Sequence, residues 1–221
     1  TLRKCYADDY KKNKGKHFSS PEELREFYED GKAILNNFKK KKNAHFSKKG
    51  WYLVGCELPI VMSPNLRLNN VKYMGYLDIV MYHEPTNTFK IIDIKTSTKG
   101  WGSHAKKDES KQFQLVLYKY FFSKQYNVPI ENIDIEFFIV RRKVYLGGEY
   151  PQKRIQTFVP SSGKVKVNKA TTNLNEFINK AFNLDGSYKD TIFNAKPSKW
   201  NCNFCPYKQK PELCSAVGKN F

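Results

Sequence analysis

Two aspartates and a lysine lie inside apolar stretches of the chain, where charged side chains are unusual. Residues 71–82 (VKYMGYLDIVMY) and 88–96 (TFKIIDIKT) are rich in β-branched and aromatic residues, which predicts two β-strands. Asp78 lies in the first of these strands and Asp93 in the second. Strands normally exclude aspartate, so both positions need a chemical explanation.

The segment between the two strands is short and has turn chemistry, which predicts an antiparallel hairpin. If the turn is centred between Pro85 and Thr86, residues whose numbers sum to 171 face each other. Asp78 then lies opposite Asp93 on the same face of the sheet. Lys95 follows Asp93 by two positions, so its side chain points to that face as well.

This arrangement of charges predicts a site for a divalent cation. Carboxylates directly opposite each other repel, and a cation between them removes the repulsion. Carboxylate oxygens are the ligands that Mg²⁺ and Mn²⁺ prefer. Lys95 can then orient a water molecule and offset charge that develops on a phosphate, and Glu57, in a strand predicted for 51–62, can complete the metal shell. The alternative is that Asp78 and Asp93 lie at strand ends and pair with surface lysines.

The net charge favours a polyanionic partner. The chain has 221 residues with 39 Lys and Arg against 21 Asp and Glu, a formal charge of +18. Nucleic acid is the predicted partner; the rival is a membrane surface, which would require a basic amphipathic helix that the sequence does not show. No apolar run is as long as a membrane span, and the N-terminus lacks the apolar segment of a signal peptide. We therefore expect an intracellular, cytoplasmic protein, in which five cysteines do not form a disulfide framework.

The remaining periodicities predict an α/β protein, with a mixed β-sheet flanked by helices. A helix over 21–42 has Ser20 as its N-cap and Pro21 at its first position. The further predicted elements are a helix over 108–126, a central strand over 133–141, a weaker strand over 153–159 and a helix over 173–183 with Asn173 near its cap.

An ordered set of motifs resembles the PD-(D/E)xK nuclease superfamily. The set consists of Glu57, then Gly75-Tyr-Leu-Asp78, Asp93-Ile-Lys95-Thr96 and Gln114-Leu-Val-Leu-Tyr118. It looks most like the RecB-type branch, which includes phage exonucleases and CRISPR-associated RecB-type nucleases. The resemblance covers roughly residues 1–215 and implies a restriction-endonuclease-like core. The Asp-x-Lys tripeptide alone is unspecific, whereas the ordered set is specific.

The resemblance also implies a role for each of these residues. Asp78 and Asp93 would bind metal with support from Glu57, and Lys95 would be the catalytic lysine. In the family the glutamine–tyrosine pair, here Gln114 and Tyr118, lies beside the metal centre and contacts DNA. The two are four positions apart and share a helix face. An ordinary buried polar pair is the alternative interpretation.

The sequence departs from the RecB-type pattern on the first helix. Members of that branch usually carry a metal-binding histidine in a segment like G-x-x-x-H. Here the segment is Gly31-Lys-Ala-Ile-Leu35, so leucine occupies the histidine position. His45, in a predicted polar loop, is a possible substitute, although a free surface histidine is the simpler interpretation. The departure places the affinity and the number of bound metal ions in question.

Three cysteines near the C-terminus have the spacing of metal ligands. Cys202 and Cys205 are separated by two residues, and Cys214 follows. Some RecB-type nucleases hold a [4Fe–4S] cluster with three such cysteines and one near the N-terminus, for which Cys5 is the candidate here. Zinc and three free thiols are the alternatives. We predict a nuclease domain over 1–195 and a Cys-rich tail over 196–221 packed on the same domain.

These observations together predict a metal-dependent DNA exonuclease that acts in replication, recombination or repair, on single strands or duplex ends. Two alternatives remain open. One is a non-catalytic basic nucleic-acid-binding module with cysteine-bound metal, which the missing histidine favours. The other is a structure-selective endonuclease of the same fold. The likeness to small phage-encoded members suggests a phage source.

Overall fold

The structure is a computed structural model. It describes residues 2–15, 19–46, 48–64, 70–147, 149–190, 197–203, 205–208, 210 and 212–214. The last part of the predicted tail, 215–221, lies outside the described residues.

The described residues form six α-helices and five β-strands. The helices are α1 (Leu2–Lys12), α2 (Pro21–Phe46), α3 (Ser103–Lys107), α4 (Glu109–Tyr126), α5 (Lys164–Ala181) and α6 (Lys199–Asn203). The strands are β1 (Trp51–Met62), β2 (Tyr73–His83), β3 (Thr88–Ser97), β4 (Ile133–Arg141) and β5 (Ile155–Phe158).

The five strands form one mixed sheet in the order β1-β2-β3-β4-β5. Neighbouring strands are antiparallel except β3 and β4, which are parallel. A parallel pair needs a crossover, and α4 lies in the connection between β3 and β4. The α/β prediction with a mixed sheet flanked by helices is confirmed, and β4 lies inside the sheet as its continuous apolar sequence predicted.

Each face of the sheet has its own apolar cluster. On one face, residues of the sheet such as Leu77 and Ile91 pack with α4 and with Val167 and Ala170 of α5. On the other, a smaller cluster around Phe138 is covered by α2. Although α2 has 26 residues, none of them is buried, so this helix contributes little to the core. None of the described helices is long and apolar enough to cross a membrane.

The start of α2 follows the predicted capping. The Ser20 hydroxyl accepts from the Glu23 N–H at 3.2 Å, and the Glu23 carboxylate accepts from the Ser20 N–H at 3.0 Å. This reciprocal pair is a capping box. The helix continues beyond the predicted end at 42 to Phe46, because His45 and Phe46 pack their rings on Phe138. His45 is therefore helical, and its prediction as a free loop residue was wrong.

The start of the last long helix was also predicted wrongly. α5 begins at Lys164, after Gly163 as its N-cap, and Asn173 is an exposed residue inside it. The buried positions Val167 and Ala170 lie one turn apart and face the core well before residue 173. Burial of this first half of the helix outweighs the local capping signal of Asn173.

Candidate active site

The hairpin that carries the two aspartates has the predicted register. β2 and β3 pair from Ile79↔Ile92 to His83↔Thr88, and each pair sums to 171. A short 3-10 turn over Glu84–Thr86 reverses the chain, and Asn87 takes the left-handed conformation at its end. The same register, continued by one residue, places Asp78 opposite Asp93.

Asp78 lies where the ladder between β2 and β3 ends. Beyond Ile79↔Ile92 the backbones no longer pair, and the Asp78 carboxylate accepts a hydrogen bond from the Ile94 N–H at 2.5 Å. The side chain thus replaces a backbone carbonyl of the missing pair. This contact fixes one carboxylate between the strands, and the sequence motifs gave no sign of the Ile94 N–H as its partner.

The alternation of side chains along β2 is broken next to Asp78. Leu77 and Val80 belong to the cluster under α4, whereas Ile79 packs with the cluster under α2. A regular strand would place Leu77 and Ile79 on the same face. Opposite this break, the β1–β2 register brings Glu57 to Asp78, and Glu57 has a φ of 52°. Both strands are therefore irregular at the candidate site. Such irregularities, β-bulges among them, are common next to active sites.

Asp93 is buried, with 3% of its surface exposed, and is paired with Lys95. The Lys95 Nζ lies 2.8 Å from Asp93 Oδ2, and this ion pair is the one contact of that buried oxygen with a charged group among the described residues. Burial raises the pKa of Asp93 above its ordinary value; the Lys95 ammonium lowers it in part, and the nearby Asp78 carboxylate raises it. The single ammonium group therefore does not offset the whole cost of burying an ionised carboxylate at this depth.

A chain of polar contacts connects Lys95 to α4. The Lys95 ammonium donates to Gln114 Oε1 at 2.8 Å, and Gln114 Nε2 donates to the Tyr118 hydroxyl at 3.2 Å. The Tyr118 ring is buried and lies over Gly75, where a Cβ atom would stand 2.6 Å from the ring. Gly75 thus makes room for the tyrosine that holds the glutamine, which gives the glycine of the motif a physical reason.

A buried acid and a lysine on β3, a second acid on β2 and a glutamine on α4 therefore converge on one face. A family model of the PD-(D/E)XK nuclease superfamily matches residues 6–210. The chain belongs to the PD-(D/E)XK nuclease superfamily. A search of curated proteins finds no match.

The predicted site residues of this PD-(D/E)XK chain are brought together to different extents. Asp78, Asp93, Lys95 and Gln114 are in direct or adjacent contact, and Tyr118 reaches them through Gln114. Glu57 is exposed and lies opposite Asp78 only by register. Within the described part of the chain, no three His, Cys, Asp or Glu side chains are grouped closely enough to hold a metal ion.

Leu35, at the position of the histidine expected of RecB-type members, and His45, its candidate substitute, both lie on α2. Leu35 is exposed, with 68% of its surface accessible. His45 packs its ring on Phe138 at 5.2 Å, in the cluster under α2, whereas Lys95 points to α4. His45 and Lys95 therefore lie on opposite faces of the sheet, and His45 does not join the two aspartates.

The four cysteines proposed as ligands are all free thiols. Cys5 lies on α1 and is exposed. Cys202 and Cys205 lie on one turn, in which the Cys205 N–H donates to the Cys202 carbonyl at 3.4 Å. Among the described residues no three candidate ligands, thiols included, are grouped around one point, and the [4Fe–4S] or zinc assignment stays a prediction.

Proposed function

We propose that this nuclease is a Mg²⁺- or Mn²⁺-dependent DNA exonuclease of the RecB-type branch. The observation that supports this most directly is the buried Asp93 carboxylate, which has Lys95 Nζ at 2.8 Å and a second carboxylate, that of Asp78, nearby. Two carboxylates that share one ammonium group in a buried position are stabilised by a further cation. The chain belongs to a nuclease superfamily, and this position lies among the acids and the lysine whose spacing resembles the motif of that superfamily.

Asp78 and Asp93 are the residues that would hold the cation. Their strands are adjacent, their carboxylates interact, and both are oxygen ligands of the type that Mg²⁺ and Mn²⁺ prefer. Glu57, opposite Asp78, is the candidate for a third carboxylate. When bound, the cation supplies Lewis-acid stabilisation of the phosphate and lowers the pKa of water.

Lys95 acts beside this pair in the proposed reaction. Its ammonium group is fixed between Asp93 and Gln114, so the charge is already in place when a phosphodiester arrives. There it orients the attacking water and offsets the negative charge that develops on the phosphate oxygens. Gln114 positions Lys95 and, because it is exposed, is accessible to DNA. The buried Tyr118 in turn positions Gln114.

DNA is the proposed substrate because the formal charge of +18 suits a polyanion.

The experiment is a cleavage assay with end-labelled single-stranded and duplex DNA in Mg²⁺ or Mn²⁺. Wild type should release short products from ends, and Asp93→Ala or Lys95→Ala should abolish release. Asp134→Ala, at an exposed position on the neighbouring strand β4, is the matched control and should cleave normally.

The same assay separates the alternatives. Binding of the labelled DNA without any product in either cation would favour a non-catalytic binding module. Internal nicks in branched DNA, with ends left intact, would favour a structure-selective endonuclease. Full activity of both active-site variants would contradict the assignment of the site.

A further inference from the structure

Three large apolar side chains project from the connection between β4 and β5. We call the described residues of this connection, 142–147 and 149–154, the β4–β5 hairpin. Tyr145, Leu146 and Tyr150 in it are 67%, 74% and 87% exposed. Single exposed apolar residues are common, but three within six positions form an exposed apolar cluster that does not contribute to the hydrophobic core.

The β4–β5 hairpin is ordered by its own contacts. The Gln152 N–H donates to the Tyr145 carbonyl at 2.9 Å, and the Gln152 side-chain oxygen accepts from the Tyr145 N–H at 3.4 Å. The Tyr145 ring also lies against Gly147, where a Cβ atom would stand 3.0 Å from the tyrosine hydroxyl. One edge of the ring is thus supported by the loop while most of its surface remains open.

The base of the hairpin is attached to the strand that carries Lys95. The Arg142 N–H donates to the Ser97 carbonyl at 2.8 Å, and the Lys143 N–H donates to the Thr98 carbonyl at 2.9 Å. Because β3 and β4 are parallel, the hairpin leaves the sheet at the end towards which β3 runs from Lys95. The base of the hairpin therefore lies at the end of the sheet where β3 carries Lys95.

Charge distinguishes the kind of partner. The hairpin has four basic residues and one acid, Glu149. Arg142 and Lys143 are neutralised by Glu26 and Asp30 of α2. Three further cations lie at the base of the hairpin. Arg154 donates to the carbonyls of Arg141 and Arg142. Lys99 and Lys153 are exposed and form no ion pair with any acid that the structure describes. Exposed aromatic rings, with unpaired cations at the base of the same hairpin, suit a strand of nucleic acid.

We infer that the β4–β5 hairpin is a stacking surface for single-stranded DNA next to the active site. Tyr145 and Tyr150 offer ring faces to unpaired bases, and Lys99 and Lys153 face the backbone phosphates. The bases of an intact duplex are stacked on one another and have no free face to offer, so the surface selects single strands or frayed ends. This inference rests on the proposed nuclease function and names the substrate that reaches its site.

Binding is measured first, without cleavage, in EDTA. The probe is a short single-stranded oligonucleotide that contains 2-aminopurine, whose fluorescence falls when the base stacks. The double variant Tyr145→Ala/Tyr150→Ala should bind roughly tenfold or more weakly and lose the fluorescence change. Tyr145→Phe/Tyr150→Phe keeps the rings and should behave as wild type. Tyr188→Ala removes a tyrosine that is 82% exposed elsewhere and should also bind normally.

Three results would overturn the inference: wild-type affinity of the double alanine variant, an equal loss in the double phenylalanine variant, or equally tight wild-type binding to blunt duplex. Because the replaced side chains are exposed, circular dichroism should show an unchanged fold. Cleavage in Mn²⁺ is measured separately. Tyrosine-dependent binding without cleavage would defeat only the proposed nuclease function, whereas cleavage that does not depend on the tyrosines, with unchanged binding, would defeat only the stacking surface.

Discussion

The Tyr118 ring fills the space that Gly75 leaves open, with a Cβ position at Gly75 only 2.6 Å from Tyr118 Cε1. Tyr118 receives the hydrogen bond of Gln114, and Gln114 receives that of Lys95. A glycine on β2 therefore sets the position of a lysine on β3 through two side chains of α4. Because each member contacts the next, a change at Gly75 reaches the lysine.

Gly75→Ala should lower the cleavage rate at least tenfold and the free energy of unfolding by about 1–3 kcal/mol. The added methyl group would stand 2.6 Å from a buried ring, so Tyr118 must shift and Gln114 loses its acceptor. Steady-state kinetics and urea unfolding check the two effects. A merely destabilising change would leave the rate per folded molecule intact, which is the result that would contradict this chain of contacts.

Gly102→Ala and Gly31→Ala are the controls for this prediction. A Cβ atom at either position meets nothing within 4 Å. Gly31 lies in the interior of α2, so alanine there should raise the free energy of unfolding by about 0.5–1 kcal/mol. Both control variants should cleave as wild type.

The parts of the structure that the sequence predicted depend on local signals. The hairpin register follows from a short turn, and the capping box of Ser20 lies within four residues. The contact of Asp78 with the Ile94 N–H depends on where the ladder stops, which neither strand reveals alone. The fit of Tyr118 on Gly75 joins residues 43 positions apart, and so the motif marked the glycine without its reason.

The errors arise where packing overrides a local signal. Asn173 has the chemistry of a helix cap, yet burial of Val167 extends α5 in front of it. The helix predicted over 21–42 extends to Phe46, because the ring of Phe46 packs on Phe138. The prediction also missed α1, at Leu2–Lys12, whose polar sequence has no clear apolar stripe.

Asp93→Asn should make the protein more stable at pH 7 in the absence of divalent cations. Burial raises the pKa of Asp93 in the folded state, so the folded protein binds this proton more tightly than the unfolded chain does. The free energy of unfolding then falls as pH rises from about 4, the unfolded pKa, through the folded pKa. Asparagine removes this loss. Thermal unfolding should show a higher melting temperature for the variant at pH 7 and no difference below about pH 4.

Added Mn²⁺ should reverse this order. The cation binds the ionised carboxylates of the folded protein, so the wild-type melting temperature should rise with Mn²⁺ concentration. Asp93→Asn lacks one ligand charge and should respond much less. An equal rise in both proteins would show that the cation binds elsewhere, and Asp134→Ala, which should respond as wild type, controls for loss of any acidic group.

Asp30→Asn should loosen α2 from the sheet. Asp30 and Glu26 pair with Arg142 and Lys143 at 2.6–3.4 Å, and the apolar residues with which α2 packs on the sheet, such as Phe46, are only partly buried. We expect a loss of about 0.5–1 kcal/mol at low ionic strength, because Asp30 is the less exposed of the two acids. Hydrogen exchange of α2 should quicken in the variant, and the loss should shrink in 0.5 M salt, a rough choice that shortens the Debye length to about 4 Å.

Glu29→Gln is the matched control for the helix. Glu29 forms an ion pair with Lys32 at 3.1 Å, but both side chains are more than half exposed and lie on α2 itself. Its removal should change the unfolding free energy by no more than a few tenths of a kcal/mol. If Glu29→Gln and Asp30→Asn had equal effects on hydrogen exchange, the ion pairs to Arg142 and Lys143 would not contribute to holding α2.

The cysteine prediction is tested by the metal that the purified protein retains. If Cys5, Cys202, Cys205 and Cys214 bind a [4Fe–4S] cluster, anaerobic purification should give a brown protein with absorbance at roughly 400 nm. Zinc bound to the same thiolates would give a colourless protein with about one zinc per chain. Cys202→Ser/Cys205→Ser should lose either metal, because the two thiols lie on one turn, while Cys56→Ser, at an exposed position of β1, should retain it.

Metal analysis that finds neither iron nor zinc in wild type would leave the four residues as free thiols. In that event the active-site predictions above would stand unchanged, since Asp78, Asp93 and Lys95 are positioned by the sheet and by α4 without any contact to these cysteines.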